Sequence, residues 1–273
     1  MRLGWMGLAV LALSATVFAT AQSAPKAELT GMAHVALRVT NMDDELAFLA
    51  KLGFEKSATI GRDGKVSFYF VKITDRAYIE VHPKVTASGQ VNPLGFYHIC
   101  FETNDANALY AQWKAAGLNP TPVGKGPDNT AEFGASDPEG RLTEALAFTP
   151  ESDPMKAAGK FLTAERVSKV LMGVDLPVAN VAAAQKFFEN VGLEGKTEGE
   201  NASMASPGHP LVRVMLRPAK AGVATRYVFQ IEDVEKTAAK LTAAGLKVEQ
   251  NQRSVTVLDP DGNIFYFLKI SPR

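Results

Sequence analysis

Four segments of this 273-residue chain share one pattern and one length, and this internal repeat constrains the fold more than any other feature. Each segment has a short apolar stretch, a turn, an amphipathic stretch and then a glycine followed by an apolar residue. The segments are residues 34–54, 98–118, 173–193 and 226–246, and they align without a gap. Because a repeated sequence unit folds as a repeated structural unit, we expect four copies of one motif.

The repeat also predicts the ends of one helix in each copy. Short polar residues, which favour the helix N-cap, stand at or next to the expected start. These residues are Asn41, Asp105, Asn180 and Asp233. Glycines stand where the chain leaves the helix in a left-handed conformation, at Gly53, Gly117, Gly192 and Gly245.

Strand-like sequence follows each predicted helix, so each copy is a βαβββ module and the fold class is α+β. One module is too small for its own core, and we therefore expect the modules to pair into two domains with concave sheets. A polar, proline-containing stretch separates the second module from the third. The predicted boundaries are a domain at 31–150, a linker at 151–166 and a domain at 167–273.

Composition excludes several classes of protein. The 29 basic and 29 acidic residues balance, so there is no net positive charge to argue for nucleic-acid binding. The 46% of hydrophobic residues is enough for a core and excludes an intrinsically disordered chain. A single cysteine, Cys100, excludes a disulfide framework and a cysteine-rich zinc site.

The first 21 residues are typical of an export signal. Arg2 provides a positive start, residues 8–18 form a short apolar stretch, and Ala19-Thr20-Ala21 is a small-x-small cleavage pattern. The apolar stretch is shorter than the ~20 residues that span a bilayer, and a buried N-terminal helix is the alternative. We therefore predict a periplasmic or secreted protein with no membrane segment after cleavage near Ala21.

Two histidines and two glutamates recur at matched positions in the first half. The interval from His34 to Glu80 is 46 residues, and the interval from His98 to Glu144 is also 46. If the two modules are related by a pseudo-twofold axis, all four side chains converge on one point. Imidazole and carboxylate together suit a divalent Zn, Ni, Fe, Mn or Co ion. Taken singly, such a histidine is more often a hydrogen-bonded core residue, and a strand glutamate is more often an edge charge. The neighbouring His82 is expected to be exposed at its strand end, with contact to the site as the alternative.

The chain resembles the vicinal oxygen chelate superfamily, which includes glyoxalase I, extradiol dioxygenases and bleomycin-resistance proteins. The resemblance covers nearly all of residues 31–270 and rests on four motifs. These are HVALRV with His34, YIEV with Glu80, YHICFET with His98 and DPEGRLTE with Glu144. It implies two glyoxalase-like domains and one divalent metal ion held by His34, Glu80, His98 and Glu144.

The second half departs from this pattern. Its four corresponding residues are Gly173, Met215, Arg226 and Tyr266. None of them is a good ligand for a hard divalent ion, so we expect a degenerate domain without metal ligands. Its role would be structural or substrate-shaping.

The resemblance implies three candidate functions. A glyoxalase-like lyase or isomerase would use the metal with Glu80 or Glu144 as catalytic base. An extradiol dioxygenase would use His34, His98 and Glu144 as a triad, although Glu80 adds a fourth ligand and Gly134 stands where those enzymes usually carry a tyrosine. A non-catalytic, resistance-type binder is the third. The partner is a small-molecule substrate in each case, and the chain would be a monomer or a homodimer. Export disfavours glutathione and coenzyme A esters, which are mainly cytosolic.

Overall fold

The computed structural model describes residues 27–220 and 223–270, apart from the side chain of Arg62. These residues form two eight-stranded sheets with identical topology. The predicted export segment, residues 1–21, lies outside the described residues. The α+β class and the four βαβββ modules are confirmed.

The first two modules build the first sheet. The first module contains β1 (Leu29–Val39), α1 (Met42–Lys51), β2 (Glu55–Arg62), β3 (Lys65–Thr74) and β4 (Ala77–Pro83). The second contains β5 (Gly95–Thr103), α2 (Ala106–Ala115), β6 (Gly124–Lys125), β7 (Ala131–Ser136) and β8 (Leu142–Ala147). The strand order is β2-β3-β4-β1-β5-β8-β7-β6, so β1 and β5 join the modules at the centre of the sheet.

A short helix, α3 (Asp153–Lys156), precedes the last two modules, which build the second sheet. The third module contains β9 (Leu171–Val178), α4 (Val181–Val191), β10 (Glu194–Glu198), β11 (Asn201–Ser206) and β12 (His209–Pro218). The fourth contains β13 (Arg226–Ile231), α5 (Val234–Ala243), β14 (Glu249–Gln250), β15 (Ser254–Leu258) and β16 (Ile264–Lys269). Their order, β10-β11-β12-β9-β13-β16-β15-β14, repeats that of the first sheet.

The helix ends are those that the repeat predicts. The side chains of all four N-cap residues accept hydrogen bonds from backbone N–H groups in the first turn of their helices. Gly192 ends α4 with φ of 117°, and Gly53 follows α1 with φ of 78°. Both values lie in the left-handed region, which glycine adopts at little cost.

The hydrophobic core is continuous between the two halves of the chain. Phe48 of α1 packs edge-on against Phe265 of β16, with ring centroids 5.0 Å apart. The buried indole of Trp113 in α2 donates a hydrogen bond of 2.8 Å to the carbonyl oxygen of Val191 in α4. The two sheets are therefore packed together through the helices of both halves.

Residues 151–166, predicted as a linker, make specific contacts with the first sheet. Lys72 of β3 donates to the carbonyl oxygen of Ala157 at 2.7 Å, and Arg166 donates to the carbonyl oxygen of Ile73 at 2.8 Å. None of the helices in the described part of the chain is long and apolar enough to cross a membrane.

Candidate metal centre

The four predicted ligands lie on the four central strands of the first sheet, β4, β1, β5 and β8. The strand register places them side by side. Glu80 and His98 both lie opposite Ala36 of β1, and His34 and Glu144 both lie opposite Cys100 of β5. The opposed pairs are Ala36–Glu80, Ala36–His98, His34–Cys100 and Cys100–Glu144. The four residues that share the repeat spacing therefore lie close together on one sheet.

Both imidazoles direct their Nε2 atoms toward the same point. The Nε2 atoms of His34 and His98 are 3.0 Å apart. Glu144 Oε2 lies 3.3 Å from Nε2 of His34 and 3.2 Å from Nε2 of His98. Glu80 Oε1 lies 3.5 Å from His34 Nε2, and Glu80 Oε2 lies 3.3 Å from His98 Nε2.

These distances fit one divalent ion. Nitrogen and oxygen ligands that bind a first-row ion at ~2.1 Å are about 3.0–3.4 Å apart when they are neighbours around it. His34, His98 and Glu144 have ligand atoms that all lie within 4.8 Å of one another, and Glu80 faces both imidazoles. Imidazole nitrogen and carboxylate oxygen are also the donor types that such ions take.

The electrostatics of the site favour a cation. Burial disfavours the charged imidazole of His34, but Glu80 and Glu144 outweigh it and raise the pKa of His34 to about 9. Burial also works against ionised glutamates, yet the adjacent imidazoles hold the pKa of Glu80 well below its ordinary value and lower that of Glu144. The site thus attracts a positive charge, which a proton on His34 provides when no metal is bound.

Further polar groups, including the buried Tyr78 and Asp128, lie close to the ligands. The ring of Tyr78 stacks on the ring of His34, with centroids 4.9 Å apart and an interplanar angle of 25°. The Tyr78 hydroxyl donates a hydrogen bond of 3.1 Å to Asp128 Oδ2. His34 Nδ1 has no hydrogen-bond partner among the described residues, so this stacking orients the ring. Burial and the nearby Glu144 raise the pKa of Glu132 to about 7. Asp128 and Glu132 are absent from the sequence prediction, although strand alternation from Gly134, which opposes Glu144, could have indicated Glu132.

The expectation of an exposed His82 is wrong. Its Nε2 lies 2.9 Å from Glu80 Oε2. Its side chain is only 15% exposed because the ring of Phe68 stacks on it, with ring centroids 4.4 Å apart. Burial lowers the pKa of His82 against the opposing effect of Glu80. A neutral imidazole therefore donates a hydrogen bond to the carboxylate.

His82, which contacts Glu80, also lines a cavity of about 550 Å³. Arg38 and Tyr97 also line this cavity, with the guanidinium 3.4 Å from the centre of the tyrosine ring. The cavity thus combines a cation, aromatic surface and hydrogen-bonding groups next to Glu80. This arrangement suits a small polar molecule.

The second sheet carries no such set of ligands. Its opposed pairs are Asp175–Met215, Asp175–Arg226, Gly173–Val228 and Val228–Tyr266. These pairs give Gly173, Met215, Arg226 and Tyr266 as the counterparts of His34, Glu80, His98 and Glu144. A side chain at Gly173 is excluded because its Cβ would lie 1.9 Å from the carbonyl oxygen of Arg213. Within residues 27–220 and 223–270, His34, His98 and Glu144 form the one group of three candidate metal ligands.

Comparison with solved structures shows the same fold over most of the chain. A catechol 2,3-dioxygenase aligns with a TM-score of 0.64 and 16% identity over 90% of this chain and 89% of its own. The Mn(II)-bound glyoxalase from Novosphingobium aromaticivorans aligns with a TM-score of 0.66 and 18% identity over 89% of this chain and 83% of its own. The 2,3-dioxygenase LapB from Pseudomonas sp. KL28 aligns with a TM-score of 0.65 and 18% identity over 89% of this chain and 94% of its own. At these identities the similarity shows the fold alone.

Sequence comparison adds the family. No curated protein matches the chain. Residues 31–145, which contain all four candidate ligands, match the model of the Glyoxalase/Bleomycin resistance protein/Dioxygenase superfamily. The first domain therefore matches this superfamily over residues 31–145, and the solved structures show a common fold over about 90% of the chain.

Proposed function

We propose that this protein is a metal-dependent lyase or isomerase that acts on a small molecule with vicinal oxygens. The observation that carries the proposal is the convergence of His34, His98, Glu80 and Glu144, with neighbouring donor atoms 3.0–3.5 Å apart. These residues would hold one Zn, Ni, Fe or Mn ion. When bound, such an ion supplies Lewis-acid stabilisation of negative charge on the substrate oxygens.

Glu80 is the better candidate for the catalytic base. Its Oε2 accepts a hydrogen bond from His82, and His82 lines the 550 Å³ cavity, so one side chain joins the carboxylate to the cavity. The adjacent imidazoles keep it ionised, the form that accepts a proton from a carbon atom next to a carbonyl group. Glu144 groups more tightly with the two histidines, which favours its role as a ligand.

The substrate would bind in the cavity that His82 lines. Arg38 supplies a guanidinium for a carboxylate or a polarised oxygen, and Phe68 and Tyr97 supply aromatic surface. We therefore propose a small α-hydroxycarbonyl compound as the substrate class.

We also propose that the mature protein is periplasmic or secreted and begins near Gln22. The export pattern of residues 1–21 supports this proposal. The intact mass of protein recovered from the native host tests it. A retained Met1 in soluble cytosolic material would contradict it.

The proposed reaction is tested by proton exchange. The mature chain, loaded in turn with each ion, is incubated in D₂O with a panel of α-hydroxycarbonyl compounds. We expect deuterium at the carbon next to the carbonyl group, without oxygen uptake, and no incorporation with His98→Ala. Arg226→Gln, in the second domain, is the matched control and should retain the activity.

An extradiol-type dioxygenase is the second candidate. The observation that favours it is that His34, His98 and Glu144 alone form a close group of two histidines and one carboxylate, the set typical of non-haem iron oxygenases. A catechol panel would then consume oxygen with Fe(II) or Mn(II) only. Ring opening of catechols would replace the isomerase proposal with this one.

A further inference from the structure

A cavity of about 740 Å³ lies on the second sheet, in the position that the metal centre occupies on the first. Three of its lining residues, Met215, Arg226 and Tyr266, are the counterparts by register of Glu80, His98 and Glu144. The same sheet surface that gathers carboxylates in the first domain therefore presents a cation, a thioether and a phenol here.

Arginine side chains dominate the charge of this cavity. Arg213, Arg226 and Arg253 line it, against two carboxylates, those of Asp175 and Glu198. Arg253 is exposed and has no ion-pair partner among the residues that the structure describes. Guanidinium groups with a planar fork of donors are well suited to bind a carboxylate.

Each carboxylate already has a cationic partner outside the lining, Arg217 for Asp175 and Lys196 for Glu198. Asp175 Oδ1 accepts a hydrogen bond of 2.5 Å from Arg217, and its Oδ2 lies 3.3 Å from Arg226. Glu198 lies 3.3 Å from the ammonium group of Lys196. The lining therefore has three guanidinium groups and two carboxylates, and Arg217 and Lys196 also contact these carboxylates.

The same cavity also has apolar surface. Met215, Val228 and Leu268 line it, and the guanidinium of Arg226 lies 5.3 Å from the centre of the Tyr266 ring. An apolar body against these residues would place an anionic group beside the arginines. A bound inorganic anion would leave this apolar surface uncovered.

We propose that the second domain binds a small organic anion, a carboxylate on an apolar body, without a metal ion. The site is separate from the metal centre, so it does not depend on the catalytic function proposed for the first domain. It gives the degenerate domain a ligand-binding role through Arg226, Arg253 and Tyr266.

Calorimetric titration of the mature chain with 2-naphthoate tests the proposal, with the neutral 2-naphthalenemethanol as the matched compound. We expect one equivalent of naphthoate to bind, at least ~10-fold more tightly than the alcohol, because charge-assisted hydrogen bonds are worth that much or more. Arg253→Gln and Arg226→Gln should each weaken naphthoate binding several-fold, and together ~10-fold or more. Lys186→Gln, on the exposed surface of α4, should leave it unchanged.

A second measurement locates the ligand without relying on the variants. With methyl-¹³C methionine, naphthoate should shift the Met215 methyl resonance by its ring current, and Met215→Leu assigns that resonance. His98→Ala should leave binding intact, which separates this site from the metal centre. Equal affinity for the two compounds, unchanged affinity in the double arginine variant, or loss of binding in His98→Ala would overturn the proposal.

Discussion

Glu45 provides a test of how the two halves of the molecule are joined. This residue of α1 is 1% exposed, and its neighbour Asp259, from the second domain, is 6% exposed. Neither oxygen of Glu45 accepts a hydrogen bond from the described residues, but a proton on Glu45 can be donated to Asp259. Burial, followed by the charges of Asp259 and Asp261, raises the pKa of Glu45 to about 9.

The sign and size of the pH effect follow from this pKa. In the unfolded chain the pKa is near 4.5, so the folded protein binds the proton more tightly. The stabilisation by Glu45 is complete below pH 4.5 and is lost as the pH rises toward 9. One pKa unit corresponds to ~1.4 kcal/mol, so Glu45 alone should lower the free energy of unfolding by up to ~4 kcal/mol between pH 5 and pH 8.

The substitution Glu45→Gln removes this titration and keeps a side-chain donor for Asp259. We expect the variant to be within about 1 kcal/mol of the natural protein at pH 5 and more stable by up to about 4 kcal/mol at pH 8. Urea unfolding followed by the fluorescence of the buried Trp113 measures both values. His34 also titrates over this range, so the difference between the two proteins isolates Glu45.

Glu55→Gln, at an exposed position of β2, is the matched control and should not alter the pH dependence. If Glu45→Gln lost stability with pH as steeply as the natural protein, Glu45 would not carry the interdomain proton. The reasoning about this interface would then be wrong.

Two further predictions concern the metal centre. Glu80→Gln keeps an oxygen donor but loses most of its basicity, so the variant should retain the metal while the rate of deuterium exchange falls by at least ~100-fold. Loss of the metal together with the rate would contradict the role of Glu80 as base. Because the pKa of His34 is about 9, a proton competes with the ion, and the apparent metal affinity should rise ~10-fold for each pH unit between 6 and 8. Competition with a chelator of known pH dependence measures it, and a flat profile would show that His34 is not a ligand.

Most of the fold could be predicted because its signals are local and repeated. The N-cap residue Asn41 and the left-handed Gly53 mark one helix, and the same marks recur in the other three modules. The convergence of His34 and Glu144 was also predictable, because equal spacing in two copies of one module implies equal strand positions.

Contacts between segments distant in sequence could not be predicted in this way. Asp128 is buried in a loop and contacts Tyr78, which stacks on His34, and no periodic pattern indicates this contact. Alternation places His82 on the same strand face as Glu80, but its position at the strand end favours exposure, and Phe68 covers it. The Glu45–Asp259 pair depends on the packing of two domains, which the repeat does not specify.

The metal content of the mature chain tests the central claim most directly. After loading and desalting, inductively coupled plasma mass spectrometry should find one equivalent of a divalent ion per chain. His98→Ala should lose this ion, while Arg226→Gln and Tyr266→Phe, at matched positions of the second sheet, should keep it. Two equivalents per chain, or full metal content in His98→Ala, would contradict the assignment of the metal centre to His34, Glu80, His98 and Glu144.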